Sequence, residues 1–247
     1  MRKKYANPPL IEAVCEFRFT PDTPWDLTIP GLMYEKVGKE FPHKEQRLAQ
    51  EIEILQTPQG VQQQTRTVER VLFLTNDRKI FIQAGPHLLA VTCLKPYPTW
   101  NGFKPRVESA FRSLTEIIDI KGLQRIGLRY INHIEIPAHS INLLDEYFEF
   151  RPFLGQNLPQ HMADFIVGCV WHFSSGRDSC RVQITNALPE KPDNSAFILD
   201  LDYFLAQPKA VSANQALEWV EEAHQKVEEI FEGCISKPLR DIFREVK

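Results

Sequence analysis

Two aspartates in the last quarter of the chain are the first residues whose type and spacing could do chemistry. Asp200 and Asp202 lie two positions apart in an apolar run, so a strand would place both carboxylates on one face. Paired carboxylates can bind a divalent cation or share a proton. They also occur on polar sheet faces where arginines pair with them, and we favour this simpler interpretation.

A larger set of charged residues alternates along two strand-like segments. In residues 10–19 two glutamates and an arginine share a face, and in residues 124–137 two arginines and a histidine share the corresponding face. Strands lying side by side would bring acids and bases together in pairs that can be bidentate. Such a set either forms the floor of a site for an anionic ligand or fixes how two parts of the molecule dock. With the two aspartates, this predicted charged cluster comprises Glu12, Glu16, Arg18, Arg125, Arg129, His133, Asp200 and Asp202.

The sequence does not predict a metal site or a nucleotide loop. Cys169, His172 and Cys180 come nearest to a set of metal ligands, but residues three apart on a strand point to opposite faces, so Cys169 and His172 would diverge. The sequence contains no glycine-rich phosphate loop and no nucleophile elbow. We therefore predict no cofactor, no metal and no catalytic residue, which argues against an enzyme without excluding one.

Four aromatic residues lie in connecting segments that contain proline. Exposed rings in such segments can anchor a partner protein, although they more often cover the ends of a sheet. The four predicted partner-binding aromatics are Trp25, Tyr97, Trp100 and Phe103.

Composition narrows the class of protein. The formal net charge of −3 argues against a dedicated binder of duplex DNA, which usually carries a basic excess. The five cysteines are odd in number and widely spaced, which is typical of reduced thiols in a cytoplasmic protein. Because no run of about 18 apolar residues occurs, we expect neither a signal peptide nor a membrane span.

Hydrophobic periodicity predicts the elements that must position these residues. Alternation with period two indicates strands, and apolar spacings of three and four indicate helices. A capping box at Ser212 and Gln215 precedes the last helix, whose apolar stripe runs from Leu217 to Cys234. The other predicted helices span 27–41, 103–120 and 142–150, and the predicted strands span 10–19, 48–56, 61–75, 79–84, 88–94, 124–137, 163–174, 179–187 and 196–205.

The order of these elements repeats at an offset of about 115 residues, a kind of self-similarity that speaks to architecture. The segment FIQAGPHLLAV (81–91) aligns with FILDLDYFLAQ (197–207), and the first strands and last helices align at similar offsets. We therefore predict an α+β fold of two tandem pseudo-symmetric β-α-β-β-β-α halves, 1–121 and 122–247, in one compact pseudo-twofold unit. The halves would share one curved, mostly antiparallel sheet backed by two long helices. Two unrelated halves with the same element order are the alternative.

The opening residues resemble a known family. The pattern Y-x-N-P-P-L-x-E-A-V-x-E-F-x-F (residues 5–19), together with RIGLRYIN (residues 125–132), is similar to an uncharacterised, sporadically distributed prokaryotic family of comparable length. The resemblance implies no reaction, cofactor or catalytic residue. A patchy distribution is typical of mobile and defence-associated gene cassettes.

These features favour a non-enzymatic protein-interaction or regulatory module. A nucleic-acid-binding module that uses the arginines of the sheet face is the second hypothesis. An enzyme or small-ligand receptor working at the charged cluster is the third. We expect a protein partner and no membrane, with nucleic acid as the open alternative.

Overall fold

The computed structural model describes residues 4–57, 60–137, 144–159 and 162–246, with side chains described outside 51–66. The helices of this part of the chain are α1 (Ile29–Val37), α2 (Thr99–Thr115), α3 (Leu144–Tyr147), α4 (Ala216–Cys234) and α5 (Lys237–Phe243). Its strands are β1 (Lys4–Tyr5), β2 (Leu10–Phe19), β3 (His43–Thr57), β4 (Gly60–Leu74), β5 (Ile80–Gly85), β6 (Leu88–Leu94), β7 (Leu123–Ile136), β8 (Ile166–Phe173), β9 (Asp178–Ala187), β10 (Ser195–Leu205) and β11 (Glu245–Val246).

Nine strands form one sheet in the order β3-β4-β5-β6-β2-β7-β10-β9-β8, and every neighbouring pair is antiparallel. The strands β2 and β7, each the leading strand of a predicted half, are neighbours near the middle, with Cys15 opposite Leu128. The predicted α+β fold with a largely antiparallel sheet is confirmed, and both halves contribute to the same sheet. The strands β1 and β11 pair separately.

The strand order is nearly symmetric about the boundary between β2 and β7. Moving outward from β2 the sheet continues with β6, β5 and β4, and moving outward from β7 it continues with β10, β9 and β8. Only β3, beyond β4, lacks a counterpart among the described strands. A long helix follows the last strand of each set. This order is what a duplicated unit would produce, while the duplication itself and its boundary at residues 121 and 122 stay predictions.

The helices pack on one face of the sheet because the strands alternate in polarity. In β2 the side chains of Ala13, Cys15 and Phe17 are fully buried under α2, where the ring of Phe17 lies 4.4 Å from that of Phe111. The apolar stripe of α4 is buried on the same core. The residues between these buried positions point to the other side of the sheet. We call that side the helix-free face, since no described helix packs on it.

Several boundaries differ from prediction at segment ends. The helix predicted at 103–120 runs from Thr99 to Thr115 and contains Pro105. The strand that was predicted to begin at residue 48 begins at His43. Residues 43–47 are all polar, so they show no alternation of apolar and polar residues that would predict a strand. The short helix predicted at 142–150 is seen as α3, with residues 142 and 143 outside the described part. The elements β1, α5 and β11 were not predicted.

The structure also shows the predicted capping box, the state of the cysteines and the character of the helices. The capping box is present, with Ser212 Oγ 2.8 Å from Gln215 Oε1. All five cysteines are free thiols, and only Cys169 is exposed. Among the described helices none is long and apolar enough to cross a membrane.

The packing of Phe17 yields a stability prediction. Replacing Phe17 by Ala removes a fully buried ring from the central strand, and we expect a loss of about 3–5 kcal/mol in the free energy of unfolding, measured by urea denaturation. The control Leu27→Ala alters a side chain that is 87% exposed and should change stability by less than about 0.5 kcal/mol. Equal unfolding midpoints for the two variants would contradict this assignment of the core.

Candidate functional site

The strands β2, β7 and β10 bring most of the charged cluster together on the helix-free face. Arg125 donates from Nη1 to Glu16 Oε1 at 3.0 Å and from Nη2 to both carboxylate oxygens of Asp202, at 2.7 and 2.9 Å. One guanidinium on β7 therefore joins an acid of the first half to an acid of the second. This is the contact between the two halves that the alternating charges predicted.

The second central pair is bidentate. Arg129 donates from Nε to Asp200 Oδ1 at 2.8 Å and from Nη2 to Oδ2 at 2.6 Å. Two parallel hydrogen bonds fix the plane of both groups, a geometry that lysine could not supply. The carboxylate of Asp200 is largely buried, whereas the Arg129 side chain is part-exposed. The two aspartates thus face arginines, as the simpler interpretation proposed.

A glycine makes room for Arg125. The side chain of Arg125 lies back along β7 over Gly127, where an added Cβ would collide with the guanidinium. The same guanidinium carbon lies 4.9 Å from the centre of the Phe204 ring. A side chain at position 127 would occupy the space of the Arg125 guanidinium. Gly127 therefore allows Arg125 to contact Glu16 and Asp202 at the same time.

Two further arginines extend the network to both sides. Arg18 donates to both carboxylate oxygens of Glu16, at 2.9 and 3.2 Å. Arg181 of β9, which the sequence analysis did not include, lies 3.4 Å from Asp202 Oδ2. Its place follows from the ladder register, which sets Asp202 between Arg129 and Arg181. Alternation along 179–187 could have revealed it.

The arginines set the ionisation of the central glutamate. Burial alone would raise the pKa of Glu16, but the hydrogen bond and charge of Arg18, together with the charges of Arg125 and Arg70, outweigh it and hold the pKa below its ordinary value. The hydrogen bond to Asp200 raises the pKa of Arg129. Glu16 is therefore ionised at neutral pH, which suits an ion-pairing role and not that of a general acid.

Two predicted members lie at the margin of the network. His133 is on β7, four residues and thus roughly 13 Å beyond Arg129, and its Nε2 lies 3.0 Å from the carbonyl oxygen of Leu188. It contacts a loop and not the central acids. Glu12 shares the helix-free face, and its charge contributes to the raised pKa of Arg129.

A cleft opens on the helix-free face beside the network. Its volume is about 610 Å³, and β3 lines it together with β2, although four strand spacings, roughly 19 Å, separate these strands along the sheet. The sheet must therefore curve toward the helix-free face. The lining residues of this hairpin cleft are Glu12, Val14, Glu16, Arg18, Arg47, Leu48, Ala49, Gln50, Arg70, Leu72, Phe81, Gln83, Leu88, Ala90 and Thr92.

Arg70 is, with Arg47, one of two arginines of the cleft that the sequence analysis missed. Its side chain is buried, and its charge helps to lower the pKa of Glu16. Its position between Val68 and Leu72 in a period-two pattern would have placed it on one face with two apolar residues. A second cavity, of about 680 Å³, lies at residues 115–122 and 209–214 and includes no member of the charged cluster.

The predicted partner-binding aromatics are placed mainly in the core. Phe103 is fully buried, and Trp100 is buried with its ring stacked on His224 at 4.0 Å. Tyr97 is part-buried against Tyr130, and Trp25 is part-buried at the edge of the core. Burial removes Trp100 and Phe103 from any partner surface, because α2 begins at Thr99 and carries both rings inward.

Beneath these rings lies a buried polar group that sequence reasoning did not single out. Tyr130 Oη and His224 Nδ1 are 2.8 Å apart, and His224 Nε2 is 3.2 Å from a carboxylate oxygen of Glu228. Burial raises the pKa of Tyr130 well above its ordinary value. In the sequence, the position of His224 on the apolar stripe of the last helix is the pattern that could have predicted its burial.

No three His, Cys, Asp or Glu side chains among the described residues form a group that could hold a metal ion. The chain matches no protein-family model, and a search of the curated proteins finds no significant match. The family that the opening residues resemble therefore stays a prediction.

The Arg129–Asp200 pair predicts an asymmetry between two arginine variants. Arg129→Met leaves the largely buried Asp200 without its bidentate partner, and we expect a loss of about 1–3 kcal/mol in the free energy of unfolding. Arg18→Met is the matched control, since Glu16 keeps Arg125, and should cost less than about 1 kcal/mol. Urea denaturation measures both, and a larger loss for Arg18→Met would contradict the assignment.

The lowered pKa of Glu16 predicts a dependence of stability on pH. A carboxyl whose pKa is lower in the folded protein than in the unfolded chain stabilises the fold fully above the ordinary pKa of 4.5. That contribution is lost as the pH falls through the folded-state pKa. We expect the stability difference between the wild type and Glu16→Gln to shrink steadily below pH 4.5 in chemical denaturation. Parallel curves for the two proteins would contradict this.

Proposed function

We propose that the protein is a non-enzymatic interaction module that binds a polypeptide segment in the hairpin cleft. The observation that carries the proposal is the combination of size and lining: about 610 Å³ of space on the concave side of a sheet, walled by apolar side chains and by ion-paired arginines and glutamates. Concave sites of this size with a few fixed polar groups are typical binding sites.

The apolar part of the lining favours a side chain of a partner over a fully hydrated ion. Val14 and Phe81 are part-buried on the floor, and Leu48 of the wall is largely exposed. Covering such surface contributes roughly 25 cal/mol per Å² of apolar area removed from water. A partner segment that inserts an apolar side chain would gain this contribution.

The charged part of the lining would set the orientation of the segment. Glu16 lies between Arg18 and Arg125, so both signs of charge occur within one short stretch of the cleft. A polypeptide offers both signs, together with backbone donors and acceptors. Arginine–carboxylate pairs of this kind support specificity more than affinity.

The same geometry disfavours the nucleic-acid hypothesis. On β2, β7, β9 and β10 the arginines of the helix-free face are matched by an equal number of acids, and Arg125 and Arg129 are each already paired with a carboxylate. Along these four strands a polyanion would find no excess of positive charge with which to exchange its counterions. The matched groups are Arg18, Arg125, Arg129 and Arg181 against Glu12, Glu16, Asp200 and Asp202.

A small anionic ligand is the second candidate for the same cleft. The cleft itself has three arginines, Arg18, Arg47 and Arg70, against Glu12 and Glu16, which leaves one positive charge in excess. Native mass spectrometry of the protein from its own host would favour this candidate if it showed a small bound mass that Gln83→Trp abolishes.

The role in a prokaryotic defence or mobile gene cassette that the resemblance implies belongs to the proposal, and the neighbouring genes would test it.

Peptide display provides the direct test of segment binding. Peptides selected from a random library against the wild-type protein should lose at least about ten-fold in affinity for Gln83→Trp, because the indole fills the cleft. Gln183→Trp is the matched control, since Gln183 of β9 lies on the same face outside the cleft. Isothermal calorimetry measures both. A library that enriches no peptide, or peptides that bind Gln83→Trp as well as the wild type, would contradict the proposal.

A further inference from the structure

The outer strand of the second half, β8, has one bonded side and one open side. It pairs with β9 along its whole length, from Ile166 opposite Thr185 to Phe173 opposite Asp178. On its other side no described strand is hydrogen-bonded to it. Six of its eight residues are exposed, so within the described structure nothing covers this edge.

The composition of β8 offers no protection against pairing. Its sequence, IVGCVWHF, contains no lysine, arginine, aspartate, glutamate or proline. Proteins usually block an open edge with charged side chains, proline or a bulge. The opposite edge of the same sheet follows that rule, because β3 carries Lys44, Glu45 and Arg47 in its first five residues.

The exposed side chains of β8 are largely apolar. Ile166 is 72% exposed, Val170 50% and Trp171 40%. Trp171 packs edge-on against Phe150 from the segment before β8, with ring centres 5.7 Å apart. At about 3.4 Å per residue the strand is roughly 27 Å long, which is enough for a continuous ladder.

We propose that β8 pairs with β8 of a second copy of this chain, antiparallel across a two-fold axis, and joins two nine-stranded sheets into one. A two-fold antiparallel ladder sets the strand against itself, so a charge near the two-fold axis would lie close to its own copy. The absence of charge from β8 makes the strand compatible with itself, and its apolar residues form favourable cross-strand pairs. The strand carries no charge that would select a foreign segment instead.

The pleat restricts the registers available to this ladder. Residues directly opposite each other share a face, so the two-fold axis passes beside a residue and not between two residues. The middle of the strand allows an axis at Cys169 or at Val170. With the axis at Cys169, the residue lies opposite Cys169 of the partner subunit at a Cα separation of about 4.5–5.5 Å, which is within disulfide range.

The measurement that decides the proposal is the solution mass at several concentrations, by light scattering after gel filtration under reducing conditions. We expect twice the 28.6 kDa of one chain for the wild type. Val170→Lys puts a like charge on both strands and should raise the dissociation constant at least about ten-fold. Leu48→Lys, on the exposed part of the other edge strand, is the matched control and should leave the dimer intact.

Thermal unfolding checks that both variants still fold. We expect that they do, because Val170 is 50% exposed and Leu48 is 71% exposed. A wild type with the mass of one chain at all concentrations would overturn the proposal, as would a dimer that survives Val170→Lys or dissociates in Leu48→Lys. Mild oxidation gives the register: a disulfide-linked dimer that Cys169→Ser abolishes supports the axis at Cys169. A monomeric wild type that instead binds an extended peptide, lost in Val170→Lys, would replace the second copy as the occupant of this edge.

Discussion

The antiparallel pairing of β2 with β7 is the constraint on which the rest of the structure depends. Setting Cys15 opposite Leu128 decides which residues of each half share a face. Because side chains alternate, one register buries Phe17 under the helices and at the same time directs Glu16 and Arg125 to the opposite side. A shift of one residue would exchange these faces and place charges in the core. The core and the charged cluster are therefore two results of one alignment.

The charge contacts across this central pair add specificity to an alignment that the apolar face already favours. Arg125 contacts Glu16 of the first half and Asp202 of the second, so its hydrogen bonds form only when the halves are in register. Part-exposed ion pairs contribute little net stability, whereas leaving one partner buried and unpaired is costly. The network therefore disfavours wrong alignments more than it stabilises the right one. Gly127 contributes to this network, because the absence of a side chain there leaves room for the Arg125 guanidinium.

Much of the fold and part of the site could be predicted from local patterns. The bounds of β2 follow from alternation and flanking prolines, and those of β6 from a short apolar run that begins just after Pro86. The charges of β2 and β7 meet because the alternation of these two strands is regular. The predictions that were wrong concern features that depend on packing between segments distant in sequence. The burial of Trp100 follows from a helix that begins before the apolar stripe does, and the position of His133 depends on the loop it meets. The curvature that forms the hairpin cleft arises from the whole sheet, and no window of sequence contains it.

The near-symmetry of the sheet makes its one departure informative. In a sheet with two equivalent halves the outer strands β4 and β8 would occupy equivalent edges, yet only β4 is followed outward by another strand, β3. That extra strand ends the sheet in a charged edge and supplies the outer wall of the hairpin cleft. The second half has no such strand among the described residues, so β8 keeps its open side. The proposed binding site and the proposed contact between copies thus follow from the same asymmetry, which assigns the cleft to one half and the free edge to the other.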